Sequence, residues 1–165
     1  MTSPDENPAL ERQYAVEQLL ARYAQALDGD ALESWPDFFV ADGRYRILTA
    51  ENHAQGLPLP LVQADSRAML RDRVAALRHA NIYEAQHYRH LVSCTLVEKI
   101  DTYTVKAVSN FMVARIMHDG ATMLFATGRY LDRIRLGNNA ADAKFEERLV
   151  ILDSSRIDTL LAIPL

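Results

Sequence analysis

Residues 102–118 read TYTVKAVSNFMVARIMH, and residues 121–136 read ATMLFATGRYLDRIRL. Neither run contains a proline, and each is long for a strand, whose usual length is about 5–6 residues. In the first run Val105, Ala107, Ser109, Phe111 and Val113 form one alternating set; Val108, Asn110, Met112, Ala114 and Ile116 form the other. Both sets are largely apolar, so both faces of this strand are expected to be covered. Tyr88–Ile100 precedes these runs and Ala143–Asp153 follows them. The breaks fall at Asp101, at His118-Asp119-Gly120 and at Gly137-Asn138-Asn139, which is hairpin-turn chemistry. An antiparallel meander of very long strands is expected. Twist accumulates along such strands, so the sheet must bend.

Working back towards the start, helical spacing replaces alternation. Leu10, Tyr14, Leu19, Leu20, Tyr23 and Leu27 place a stripe on a helix of about five turns. Asp28-Gly29-Asp30 ends it, with Gly29 expected in the left-handed conformation. Asp30 or Ser34 is expected to cap a short second helix carrying Trp35, Phe38 and Phe39, with Pro36 near its first turn. Asp42-Gly43 reads as a turn, Gly43–Leu48 as a strand, and Ala50–Pro60 as a loop. After the short apolar piece Leu59–Gln63, Asp65–Asn81 is helical, with Met69, Leu70, Val74 and Leu77 on one face and Asp65 or Ser66 as its cap. Helices followed by a bent meander predict an α+β cone, a strongly curved and mostly antiparallel sheet wrapped around N-terminal helices. Residues 1–8 read as a mobile lead-in and residues 9–165 as a single domain.

Composition narrows the function classes. The 165 residues carry 18 Lys+Arg against 22 Asp+Glu, a formal charge of −4, so a nucleic-acid partner is not expected. Six glycines and six prolines are few for this length, and no proline lies between Pro60 and Pro164. The single cysteine, Cys94, excludes an internal disulfide framework, a four-cysteine or two-cysteine zinc site, and an iron–sulfur cluster held by this chain alone. No apolar run reaches the length of a membrane span, and Met1–Glu6 lacks the pattern of a signal peptide. A cytoplasmic location without a membrane partner is expected.

The residues able to carry chemistry each have a second reading. His87 and His90 have the spacing of a metal pair on a helix, but a strand would point them to opposite faces. Asp28 and Asp30 with His90 make a possible acid–base pair, but helix capping is the favoured reading of both aspartates. Cys94, between Ser93 and Thr95, reads as a small core residue rather than a nucleophile. Tyr83, Tyr88, Tyr103 and Tyr130 suit a sheet. Arg67, Arg71, Arg73 and Arg78 form a solvated helix face or a contact for an acidic partner. The apolar ending Asp158–Leu165 either docks on its own domain or lies in a subunit interface. No phosphate-binding loop, nucleophile elbow or dinucleotide fingerprint is present.

Several short motifs taken together resemble a known family. They are Ala24-Gln25-Ala26-Leu27-Asp28, Trp35-Pro36-Asp37-Phe38-Phe39, Tyr45-Arg46-Ile47, Asp65-Ser66-Arg67-Ala68-Met69-Leu70, Asp72-Arg73, Asn81-Ile82-Tyr83-Glu84 and Tyr88-Arg89-His90. Their order and spacing, from about residue 10 to the end, resemble the small (β) subunit of aromatic-ring-hydroxylating dioxygenases of the Rieske non-haem iron class. Glu51–Leu57 and Asp158–Leu165 look most like the terephthalate branch, with the salicylate, anthranilate and halobenzoate branches close beside it. The resemblance implies a cystatin-like or nuclear-transport-factor-2-like cone. It implies a Rieske [2Fe–2S] cluster and a mononuclear Fe(II) on a large (α) subunit, and a trimeric base of small subunits within an α3β3 assembly. No catalytic, cofactor-binding or metal-binding residue is then expected in this chain. The Arg67–Arg78 helix, the Asn81–His90 connection and the apolar end are the expected contacts. The alternative is a stand-alone isomerase or dehydratase of the same fold, using Asp28 and His90 with a tyrosine.

Overall fold

The computed structural model describes residues 7–79, 84–156, 161 and 163–165. Helix α1 spans Pro8–Asp28, and Asn7 caps it by accepting from the Ala9 and Leu10 N–H groups. The buried stripe is Val16, Leu19, Leu20, Tyr23 and Leu27. Leu10 and Tyr14, expected in that stripe, lie exposed on the overhanging first turns. The left-handed residue after α1 is Asp30, at φ 58°, while Gly29 sits at −88°. Asp30 takes this conformation because Arg78 grips it, with bonds of 2.9 and 3.0 Å to its carboxylate and 2.8 Å to its carbonyl.

A 3₁₀ segment, Leu32–Phe38, carries Trp35 inward without a side-chain cap. Asp30 is occupied by Arg78, and Ser34 donates instead to the Ala31 carbonyl, so neither caps it. Pro36 lies inside that segment rather than in its first turn. Strand β1 is Phe39–Thr49, and it absorbs Asp42-Gly43 as an irregular stretch rather than a turn. The expected loop at Ala50–Pro60 begins with a short helix, α2 (Ala50–Ala54), capped by the Thr49 hydroxyl. Strand β2 is Val62–Ala64. Helix α3, Arg67–His79, buries Leu70, Val74 and Leu77, and the Ser66 hydroxyl accepts from the Met69 N–H; Met69 itself is exposed.

The meander follows as read: β3 Gln86–Lys99, β4 Thr104–Met117, β5 Thr122–Arg135 and β6 Lys144–Leu152. The six strands run in the order β2-β1-β6-β5-β4-β3, antiparallel except for β1 against β6. Four of the five pairings contain a register break, at Ser93/Leu96, Val113/Ala114, Arg133/Ile134 and Phe39/Arg44. An extra residue in one partner bends a strand and raises its twist. These breaks turn long strands into a cone. Gly128 marks another tight point, since a Cβ there would lie 2.0 Å from the Ile151 carbonyl oxygen.

The concave face is the core: Val105, Ala107, Phe111, Val113, Tyr130 and Val150 close over α1 and Trp35. The other side of β4 is only partly covered, with Asn110 and Met112 exposed. Two charges lie inside the cone, in the apolar register of adjacent strands. Arg148 and Asp132 are paired across β5 and β6, both side chains fully buried, with bonds of 2.9 and 2.7 Å. The guanidinium lies 4.2, 3.9 and 4.2 Å from the ring centres of Tyr23, Tyr130 and Phe145. Burial alone lowers the Arg148 pKa, but the facing Asp132 charge and hydrogen bonds outweigh it, so the pKa is raised and the cation kept. Burial pushes the Asp132 carboxyl up, against the pull of Arg148. Removing one partner strands the other. Asp132→Leu or Arg148→Met alone is expected to destabilise by about 3–5 kcal/mol, and the double replacement to recover most of that, in urea unfolding.

Candidate functional site

Asp28 and His90 come from distant parts of the chain and meet at the edge of the sheet. Asp28 is the last residue of α1, and β3 is the edge strand lying beside that helix. The Asp28 carboxylate oxygen Oδ1 lies 2.6 Å from His90 Nδ1, and the same carboxylate accepts the His90 backbone N–H at 3.0–3.1 Å. Both side chains are nearly inaccessible, at 0% for His90 and 3% for Asp28. Asp28 therefore does not cap a helix. It ties the end of α1 to a strand edge whose outward N–H would otherwise lack a partner. Gln13 does the same one end along, donating to the Thr95 carbonyl at 3.0 Å.

This geometry resembles half of an acid–base dyad, but the catalytic half is missing. His90 Nε2 is buried without a hydrogen-bond partner among the described residues, and the ring has no exposed surface through which a substrate could reach it. Of the tyrosines, Tyr103 is exposed at a turn, Tyr83 lies outside the described residues, and Tyr88 and Tyr130 are buried. Burial holds the Tyr23, Tyr45 and Tyr130 phenols above their ordinary pKa, so they are poor proton donors.

The interior that a cavity enzyme of this shape needs is filled by the chain itself. Trp35 Nε1 donates to the Tyr23 hydroxyl at 3.1 Å, and Tyr23 donates to the Leu165 carbonyl at 2.9 Å. Tyr45 donates to that same carbonyl at 3.1 Å and accepts the Leu165 N–H at 3.0 Å. Ile163 and Leu165 are buried in the core cluster. The apolar end thus docks on its own domain, as one of its two readings required; Asp158, Thr159, Leu160 and Ala162 lie outside the described residues. Arg148, Asp132 and the Tyr23–Tyr45–Leu165 network were not found from the sequence. Their signal was there: Asp132 and Arg148 occupy the apolar register of their strands, two apart from Tyr130 and Val150.

The other candidates disperse. His87 is exposed and His90 buried, on opposite faces of β3 as strand geometry requires, so they form no metal pair. Cys94 is exposed at the β3 register break, at φ 54°, rather than in the core. Arg78 bonds Asp30 and Glu33, and Arg71 lies 3.5 Å from Asp37, so two of the α3 arginines hold the 3₁₀ segment. In the Asn81–His90 connection residues 80–83 lie outside the description, and Glu84 lies 3.0 Å from His118. A Rieske cluster asks for two cysteines and two histidines, and a mononuclear iron for two histidines and a carboxylate. The chain has one cysteine, and the described residues bring together no three His, Cys, Asp or Glu able to hold a metal. The donor set does not fit either group.

Four similarities bear on these features. The family model for the ring-hydroxylating β subunit matches residues 22–159. The terephthalate 1,2-dioxygenase terminal oxygenase component subunit β1 of Comamonas sp. is 46% identical over 147 residues, covering 88% of this chain and 93% of that protein. The anthranilate 1,2-dioxygenase small subunit of Burkholderia cepacia is 36% identical over 152 residues, covering 92% and 93%. A crystal structure assigned as the β subunit of an aromatic-ring-hydroxylating dioxygenase from Novosphingobium aromaticivorans superposes with a TM-score of 0.87 at 36% identity, covering 96% of this chain and all of that one.

Two measurements check the local assignments. Asp28→Ala should speed amide exchange along β3 and destabilise by about 1–3 kcal/mol, with α1 still helical by circular dichroism. Removing residues 163–165 should cost at least about 3–5 kcal/mol in urea unfolding, from the buried Ile163 and Leu165 side chains and the phenol bonds to Leu165, and should raise binding of an apolar dye.

Proposed function

Since the chain belongs to the ring-hydroxylating β-subunit family, we propose that it is the non-catalytic small subunit of a terminal oxygenase acting on an aromatic carboxylate such as terephthalate. The two curated relatives support that substrate class, because the substrates in their names, terephthalate and anthranilate, are both aromatic carboxylates. Its partner is the large (α) subunit, in an α3β3 assembly with small-subunit trimer contacts, in the cytoplasm. Among the described residues no helix is long and apolar enough to cross a membrane.

The single observation that carries the non-catalytic role is the filled cone. Where an isomerase or dehydratase of this shape would hold substrate, Leu165 sits against Tyr23 and Tyr45, beside the Asp132–Arg148 pair. The [2Fe–2S] cluster and the mononuclear iron, held by the large subunit, supply the redox chemistry. This chain supplies a rigid face on which that subunit is held, and no residue of it serves as a catalytic, cofactor or metal-binding group. Asp28 and His90 serve as a latch.

Co-expression with a candidate large subunit tests this. The expected result is a co-purifying complex with iron–sulfur absorption, and a colourless preparation of this chain alone. A stable 18.6 kDa monomer that turns over a ketone or hydroxylated ring unaided would overturn the proposal.

A further inference from the structure

Residues 163–165 are held as a ligand is held, not as a strand or helix is. Residues 161 and 163–165 belong to no helix or strand. Among the described residues, the only hydrogen bonds to 163–165 come from two phenols. Tyr23 and Tyr45 both donate to the Leu165 carbonyl, at 2.9 and 3.1 Å, and the Tyr45 oxygen accepts the Leu165 N–H at 3.0 Å. One main-chain unit is thus read at both of its polar atoms. Leu165 is fully buried and Ile163 nearly so.

The clamp itself is built by other parts of the fold. Tyr23 comes from α1 and Tyr45 from β1. Trp35 Nε1 donates to the Tyr23 hydroxyl at 3.1 Å, which leaves that O–H free to donate to Leu165. Trp35 packs edge-on against Tyr45 with ring centres 5.1 Å apart, and Phe39 packs edge-on against both, at 6.0 and 6.2 Å. Burial raises the pKa of both phenols, so both remain donors. A buried hydroxyl stripped of its acceptor is costly, so the pair calls for an acceptor oxygen whichever molecule supplies it. Aromatic walls with a few fixed polar groups are the make-up of a small-molecule site. Solvent reaches the segment at half-buried Leu161, beside an open cleft of about 230 Å³ that Phe125 and Leu152 also line.

We propose that the cone contains an internal binding site for an apolar peptide or acyl group, and that residues 163–165 occupy it in cis as its ligand. The clamp sets the class of molecule: a branched aliphatic side chain, an amide N–H, and a carbonyl or carboxylate oxygen. In the intact chain the tethered segment wins over free molecules, because tethering gives it an effective concentration of roughly millimolar. The site is closed while the segment is in place and opens when the segment is gone. The inference concerns the interior of this chain and does not rest on the small-subunit reading.

The probe is the tripeptide acetyl-Ile-Pro-Leu, as free acid and as amide, added to the chain lacking residues 163–165 and to the full chain. Binding is read from the emission of Trp35, the single tryptophan, and from the unfolding temperature. In the shortened chain either form should move the emission towards that of the full chain. The unfolding temperature should rise further with each tenfold increase in peptide, as ligand linkage requires. The full chain should respond to neither form. Tyr45→Phe in the shortened chain removes the hydroxyl that reads both polar atoms, and should weaken binding at least about tenfold. Acetyl-Ile-Pro-Gly, which lacks the buried side chain, should also bind at least about tenfold more weakly. Where the shortened chain does not fold alone, refolding it with the peptide should restore the emission of the full chain. A shortened chain that stays folded and ignores the peptide, or one that millimolar peptide fails to refold, overturns the proposal. So does equal binding to the full chain, or binding that Tyr45→Phe leaves unchanged. None of these results bears on assembly with a large subunit, which the co-expression experiment reads separately.

Discussion

The interior of a bent sheet has to be filled, and here a buried ion pair fills its centre. Long strands without proline twist, and register breaks at Ser93/Leu96, Val113/Ala114 and Arg133/Ile134 curl them into a cone. Arg148 then stands where a smaller apolar residue would leave a void, its charge met by Asp132 and its flat faces by Tyr23, Tyr130 and Phe145. A guanidinium suits this place because it stacks on rings and bonds a carboxylate in two directions at once. Helix α1, Trp35 and the last residues pack onto that centre.

A filled cone decides function more sharply than the fold does, since one fold hosts both enzymes and scaffolds. The Asp28–His90 pair has the distance of a working dyad, 2.6 Å. Its carboxylate, however, is shared with a strand-edge N–H, and its imidazole is sealed from solvent. The same contact that would orient a base in an open cavity serves here to hold an edge strand shut. Membership of the ring-hydroxylating β-subunit family fits that reading, for in such a chain what must be kept is a surface rather than a pocket.

Much of this was legible in the residues. The strand runs, their turns and the two principal helices followed from alternation, spacing and turn chemistry, because those signals are local. What stayed hidden depended on distant partners. Asp30 rather than Gly29 took the left-handed turn because Arg78, 48 residues away, rewards it. Asp28 read as a helix cap because nothing nearby announced the strand edge it serves. The loop at Ala50–Pro60 hid a helix turn nucleated by one hydroxyl, Thr49. Asp132 and Arg148 were visible as charges in an apolar register, and only their pairing across two strands gives that oddity meaning.

The most direct measurement is turnover per iron in the assembled oxygenase carrying Asp28→Asn in this chain. General acid–base groups contribute about 10²–10⁴-fold to rate, so a catalytic Asp28 would betray itself plainly. A latch should leave turnover per iron within about twofold of the unaltered complex while lowering its unfolding temperature. A hundredfold fall in turnover, in a complex that assembles and melts like the unaltered one, would contradict the placement of the chemistry on the partner.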